Sequence, residues 1–254
     1  MSGLFLPVIG FSIVFIATVL GAALVFFVKK DVSEGKSAAF SGFASGIMVA
    51  ASVFSLLLPS IDGFAYLGGW RFLPTAAVFL AGGLFFAATD IFVKRVIMRS
   101  APLGGETDRP VRMFIAMTVH NLPEGLAVGF AFGSAALGNA EQTVAAFMLA
   151  VGIAVQNFPE GAAVSLPIKK ALGSSKKAFL LGALSGVIEP IAALIGFLFS
   201  TSLYGMLPYV MAFAAGTMIF VVVEDMLPEA GASKHCAWGF MAGFALMMAL
   251  DIAL

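Results

Sequence analysis

The chain has 254 residues, 61% of them hydrophobic and only 11% charged, and its fourteen basic and fourteen acidic side chains cancel. A soluble domain carries about 25% charged residues, so the composition excludes an ordinary soluble fold; the zero net charge by itself says nothing about nucleic acid, which is not an expected partner of a membrane chain. The lone Cys236 excludes an intramolecular disulfide.

In chain order, apolar runs of about 20 residues, enough to cross roughly 30 Å of hydrocarbon, predict eight transmembrane helices. They cover about 4–28, 38–58, 73–96, 111–133, 143–168, 178–200, 206–227 and 236–254. The first, Leu4–Val28, follows no basic stretch and ends in no small-residue cleavage site, so it is expected to stay as a spanning helix rather than leave as a signal peptide. The connections are short. They predict a single all-α transmembrane domain, 1–254, embedded in the lipid bilayer, with a bacterial inner membrane as the expected location.

Basic residues set the orientation. The loop between helices 1 and 2 holds Lys29, Lys30 and Lys36; that between 3 and 4 holds Lys94, Arg95, Arg99, Arg109 and Arg112. Between helices 5 and 6 lie Lys169, Lys170, Lys176 and Lys177, and between 7 and 8 lies Lys234, whereas the opposite face has only Arg71. The crowded face is cytoplasmic, so both termini are expected outside. Helices 2 and 7 also share a short pattern, Phe43-Ala44-Ser45-Gly46-Ile47-Met48 against Phe213-Ala214-Ala215-Gly216-Thr217-Met218, and each later meets a Leu-Pro. The assigned topology runs them in opposite directions, the pattern of an inverted repeat, which in transporters often holds the substrate near mid-membrane.

Helices 4 and 5 carry the chemistry. Val119–Gly129 reads VHNLPEGLAVG, and Val155–Ser165 reads VQNFPEGAAVS. His120 and Glu124 are four apart and share one helix face, as do Gln156 and Glu160; Asn121 and Asn157 lie three residues before each Glu and face an adjacent direction. Each Glu can therefore serve two ligand sets at once. Pro123 and Pro159 each remove a helical hydrogen bond and free a carbonyl about one turn earlier, near Val119 and Val155. At about 1.5 Å per residue, Met48, His120, Gln156 and Glu189 all reach mid-membrane from their respective sides.

Carboxylates in hydrocarbon are expensive, by at least about 2.5–3.5 kcal/mol on insertion scales. Asp90, Glu124, Glu160, Glu189, Glu224 and Asp225 lie within or near the ends of the spans, with no Lys or Arg deep in any helix. Such a set asks for protons or a metal. Asp90, Glu224 and Asp225 sit towards the cytoplasmic ends of helices 3 and 7 and form a possible exit path; Glu224 and Asp225 read equally well as caps. Met48 reads as core filler or as a neighbour of the site, and Glu229 and Asp251 as interfacial.

His120-Asn121-Leu122-Pro123-Glu124-Gly125 and Gln156-Asn157-Phe158-Pro159-Glu160-Gly161 resemble the signature of the ZIP (Zrt-/Irt-like protein) family of divalent metal transporters, and Gln156 with Met48 resembles its bacterial GufA-like branch. The resemblance covers the whole chain. It implies a 3+2+3 bundle, usually a homodimer, that moves Zn²⁺ and in many members Fe²⁺, Mn²⁺, Co²⁺ or Cd²⁺ into the cytosol, with the metal as substrate and no cofactor. It also implies a two-metal centre: His120, Glu124, Gln156 and Glu160, with Met48 nearby, for one ion; Asn121, Asn157 and Glu189, sharing Glu124 and Glu160, for the other. Gln156 replaces the more common His, and the loop between helices 3 and 4 lacks the family's His cluster; the only other His is His235.

Two other functions fit parts of the pattern. An intramembrane metalloenzyme would use His120 and Glu124, but the chain has no H-E-x-x-H pair. A proton-coupled carrier of an organic solute would use the acids, but the interior offers no Arg or Lys to an anion. The orientation is directly testable: single cysteines at Ser2 and Ala136 are expected to label in intact cells, and at Ser33 and Ser174 only after permeabilisation. Labelling of Ser33 in intact cells at the rate of Ala136 would reverse the topology.

Overall fold

The computed structural model describes residues 5–28, 33–92, 95, 108–136, 138, 140–200, 202–203, 205–231 and 233–253. These residues are almost entirely helical, and no strand occurs among them. The long helices are α1 (Phe5–Phe26), α2 (Glu34–Gly63), α3 (Phe72–Phe92), α4 (Asp108–Ala136), α5 (Ala140–Leu172), α6 (Ser175–Phe199), α7 (Leu207–Met226) and α8 (Lys234–Ala253). Ser2, Lys29, Lys30, Lys94 and Arg99, and the side chains of Arg109, Arg112 and Glu229, lie outside the described residues.

Seven of these helices are long and apolar enough to cross a membrane. The exception is α4, 29 residues long, whose His120, Asn121 and Glu124 add to the polar start Asp108-Arg109 and dilute its apolar character. Helices α4 and α5 both run longer than expected, and Pro123, Pro159 and Pro167 stand inside them without ending them. Helix α6 differs more. It was expected to be continuous, but it breaks between Ser185 and Ile188. The cause is Pro190, which has no N–H for the Gly186 carbonyl; Glu189 N donates to that carbonyl instead, at 3.1 Å.

Helices α2 and α7 share a further irregularity. Each passes through a π-helical stretch, Ser52–Leu57 and Val222–Met226, directly before its Leu-Pro. The Leu58 N–H donates to the Val53 carbonyl and the Leu227 N–H to the Val222 carbonyl, five residues back in both cases. The wider turn relieves the proline, which cannot continue a regular ladder.

The helices pack in a symmetric pattern: α2 lies on α8 and α3 on α7, while α1 lies on α5 and α4 on α6. Exchanging 1 with 6, 2 with 7, 3 with 8 and 4 with 5 maps every one of these pairs onto another. Small residues set the close approaches, as membrane packing favours. A methyl group on Gly42 or Gly46 of α2 would sit 2.2 or 2.1 Å from the carbonyl oxygens of Cys236 or Phe240 of α8. In return, one on Gly239 or Gly243 would sit 2.1 Å from that of Ala39 or Phe43. The α3–α7 pair repeats this with Gly82 against Phe213 and Gly216 against Phe79. Large apolar side chains such as Leu80, Leu84, Leu198 and Trp238 point outward, where lipid takes the place of a protein partner.

The seam gives a stability test. Gly243→Ala forces a methyl against backbone, whereas Gly69→Ala places one in open space. The first is expected to destabilise the detergent-solubilised protein by about 1–3 kcal/mol, the usual scale of overpacking, and the second to leave thermal unfolding unchanged. Equal melting of both variants would mean that α2 and α8 are not in backbone contact.

Candidate metal centre

The two motif helices bring their polar residues to the same buried point. His120 and Glu124 are fully buried, and Gln156, Asn157, Asn121 and Glu160 are at most 2% exposed. His120 Nε2 lies 3.2 Å from Glu124 Oε1 on its own helix and 3.8 Å from Glu160 Oε1 across on α5. One ligand atom each from His120, Glu124 and Glu160 falls within 4.8 Å of the others, the reach of a single bound cation. Gln156 closes the fourth side and donates from its amide nitrogen to Glu124 Oε1.

The sequence explains the convergence. In each copy the Glu precedes a glycine, and the missing side chain lets a third helix press on the motif helix just there. A methyl on Gly125 would meet the Glu189 carbonyl oxygen at 2.4 Å, and one on Gly161 would meet that of Thr18 at 2.1 Å. Helix α6 is thereby drawn against α4 with Glu189 at its break, 1% exposed, in the first turn of the second half. Its carboxylate lies within electrostatic range of both Glu124 and Glu160.

The asparagines anchor to backbone. Asn121 Nδ2 donates to the Ser185 carbonyl at 3.1 Å, and Asn157 Nδ2 to the Val14 carbonyl at 3.4 Å. Asn157 also lies close to the Glu189 carboxylate, and both amide oxygens are buried. Among the described residues the buried atoms without a hydrogen-bond partner are almost all here: both ring nitrogens of His120, Oδ1 of Asn121 and Asn157, Oε1 of Gln156, Oε2 of Glu124 and Glu189, and both oxygens of Glu160. Buried polar atoms in proteins are nearly always partnered. A concentration of lone pairs facing one volume, with no Lys or Arg ion pair to these acids among the described residues, is the electrostatic signature of a cation site.

The remaining expected residues are Met48 and the acids of the exit path. Met48 is fully buried on α2. Asp90 and Asp225 are half-buried and Glu224 is exposed, the latter two within the π-helical stretch of α7, so none belongs to the buried cluster. Asp251, in the last turn of α8, makes a contact the sequence did not reveal: its Oδ1 accepts a 2.5 Å hydrogen bond from Ser55 Oγ of α2, its Oδ2 has no partner among the described residues, and it lines a cavity of about 360 Å³ with Ser134, Gln142, Met211 and Met247. Thr18, which donates from Oγ1 to Glu189 Oε1 at 3.2 Å, was also missed. Apart from Ser12 it is the only hydroxyl in α1, a polar residue in an apolar span, and that was the available signal.

Apolar spanning helices around a buried histidine–carboxylate cluster define an integral membrane protein that handles cations. A family model described as ZIP Zinc transporter matches residues 101–251. The chain is 36% identical over 258 residues to the zinc transporter ZIPB of Bordetella bronchiseptica, covering 97% of this chain and 81% of that protein. It is 34% identical to the zinc transporter GufA of Myxococcus xanthus, covering 94% of each, and 31% identical to the zinc transporter ZIP11 of Homo sapiens, covering 100% and 98%. The chain belongs to the ZIP zinc transporter family and is a transporter of divalent metal rather than an enzyme. Its bacterial relatives support the bacterial inner membrane as its place.

The geometry makes the two carboxylates the most sensitive positions. Glu124→Ala or Glu160→Ala is expected to abolish uptake of radiolabelled zinc into proteoliposomes while the protein still reaches the membrane. Uptake at the unmodified rate in either variant would show that this carboxylate does not touch the metal.

Proposed function

We propose that the chain carries Zn²⁺, and other divalent transition metals, into the cytosol through a two-metal centre at mid-membrane. The observation that supports this best is the cluster of unpartnered lone pairs on His120, Glu124 and Glu160 within reach of one cation. The first ion takes His120, Glu124, Glu160 and Gln156, with Met48 nearby on α2. The second takes Asn121, Asn157 and Glu189 and shares Glu124 and Glu160. An ion entering from water gives up its hydration shell to these oxygens and one imidazole. Because the carboxylates repel one another when no cation is present, the ion also relieves a strain the fold has already built.

The route follows the acids. The cavity beside Asp251 and Ser55 receives the ion from outside. Asp90, Glu224 and Asp225 form the exit towards the cytoplasm, where their greater exposure keeps each stop brief. Release must stay fast for turnover. The eight helices form a 3+2+3 bundle in which 1–3 and 6–8 are inverted repeats, both termini lie outside, and the protein works as a homodimer in the bilayer; no cofactor takes part. The exchange-symmetric packing of α1–α8 and the matching π-helical stretches support the repeat, and the distribution of basic residues supports the orientation.

Donor chemistry sets the metal preference. One imidazole, one amide and two carboxylates mix borderline nitrogen with hard oxygen, a set that accepts several divalent ions. The amide of Gln156 presents its nitrogen to Glu124; rotation by half a turn presents the oxygen to an ion instead. Gln156→His adds a second imidazole and is expected to tighten Zn²⁺ and Cd²⁺ binding at the expense of Mn²⁺, with the gain fading as pH falls below about 6.5, where imidazole protonates. Competition uptake at two pH values checks both parts. An unchanged zinc-to-manganese ratio would mean that residue 156 does not face the metal.

A further inference from the structure

Helices α1 and α6 meet the two motif helices in the same way. Gly161 of α5 packs on the carbonyl of Thr18, and Gly125 of α4 packs on the carbonyl of Glu189. Asn157 donates to the carbonyl of Val14, four residues before Thr18; Asn121 donates to the carbonyl of Ser185, four residues before Glu189. Two separate contacts in each copy thus place Thr18 of α1 at the position that Glu189 holds on α6. The metal centre has an acid on one side of its pseudo-twofold axis and a hydroxyl on the other.

That hydroxyl is 1% exposed and sits between two acceptors, Glu189 Oε1 at 3.2 Å and its own Val14 carbonyl at 3.4 Å. As a metal ligand Glu189 must be ionised, and an ionised carboxylate can only accept, so with a cation bound the proton between Thr18 and Glu189 belongs to Thr18. A hydrogen bond to a charged group is also the stronger of the two choices. Oε2 of Glu189 has no hydrogen-bond partner among the described residues, although the Asn157 side chain also lies close to this carboxylate. One oxygen of this carboxylate is held and the other is left available.

We propose that Thr18 is a positioning residue of the metal centre: it holds Glu189 Oε1 so that Oε2 faces a divalent cation as a single-oxygen ligand on the side lined by Asn121 and Asn157. Without the hydroxyl, the carboxylate can turn about its last torsion and bring either oxygen, or both, to the ion. The proposal rests on Glu189 being a ligand of the second ion, as argued above. It adds α1 to the helices that shape the centre, and it explains why a hydroxyl stands in the middle of an otherwise apolar span.

Calorimetric titration of Zn²⁺ into the purified full-length protein in detergent, followed by uptake in proteoliposomes, tests it with three variants. Thr18→Val keeps the side-chain shape and removes the donor, and is expected to weaken the second, looser Zn²⁺ step by about 10–100-fold, the usual effect of losing a group that orients a metal ligand. The first step should keep its affinity, which also shows that the variant is folded. Thr18→Ser keeps the hydroxyl and should bind both ions as the unmodified protein does. Glu189→Gln should lose the second step. If Thr18→Val binds both ions normally while Glu189→Gln does not, Thr18 has no positioning role and the two-metal reading stands. A serine variant as weak as the valine variant overturns the proposal as well, because packing rather than the hydroxyl would be at work. Should Glu189→Gln retain both steps, Glu189 is not a ligand, and the assignment of the second site falls together with the role of Thr18.

Discussion

Three carboxylates with no Lys or Arg partner among the described residues govern this structure. Glu124, Glu160 and Glu189 are at most 2% exposed, and among the described residues the only ion pairs they make are those of Glu124 and Glu160 with His120. Buried charge is tolerated only where it is paired, protonated or bound to metal. The fold therefore cannot be optimised as a closed apolar bundle; it must keep a polar core whose charge is completed from outside. The glycines that follow Glu124 and Glu160, the break in α6 at Glu189 and the backbone anchors of both asparagines all hold that core in place.

The pairing of helices shows how the rest of the molecule accommodates this. Helices α2 with α8 and α3 with α7 close by glycine seams in which backbone meets backbone, and the α2–α8 pair adds the hydrogen bond from Ser55 to Asp251. Helices α1 and α6 flank the motif helices, and there the same kind of close approach comes with hydrogen bonds from Asn121, Asn157 and Thr18. The polar interactions are concentrated where the cation would sit.

Much of this was legible in the sequence because helical spacing is local. His120 with Glu124, Gln156 with Glu160, and the two prolines lie within one or two turns of each other, so periodicity alone places each set on a face. The apolar run at 111–133 also placed α4, although the whole helix falls short on apolar character because it carries those polar residues. What stayed hidden was non-local. The Thr18–Glu189 and Ser55–Asp251 hydrogen bonds join residues 171 and 196 positions apart, and no spacing rule reports on such pairs. The break in α6 was signalled by Pro190, but prolines at Pro123 and Pro159 leave their helices unbroken, so the residue type alone does not decide.

The π-helical stretches give α2 and α7 a division of labour along their length. Such a stretch holds one more residue in its loop than an α-turn, so the segment beyond it is rotated by roughly 100°, one residue's worth of a 3.6-residue turn. In α2 the rotation falls after Gly42 and Gly46, which serve the seam with α8, and among Phe54, Ser55 and Pro59, which line the cavity at Asp251. In α7 it falls after Gly216, which serves the seam with α3, and at Glu224 and Asp225. One helix thus shows a different face at each level of the membrane. Amino-acid changes in the rotated end can therefore alter what that end of the helix faces while the glycine seam keeps its register.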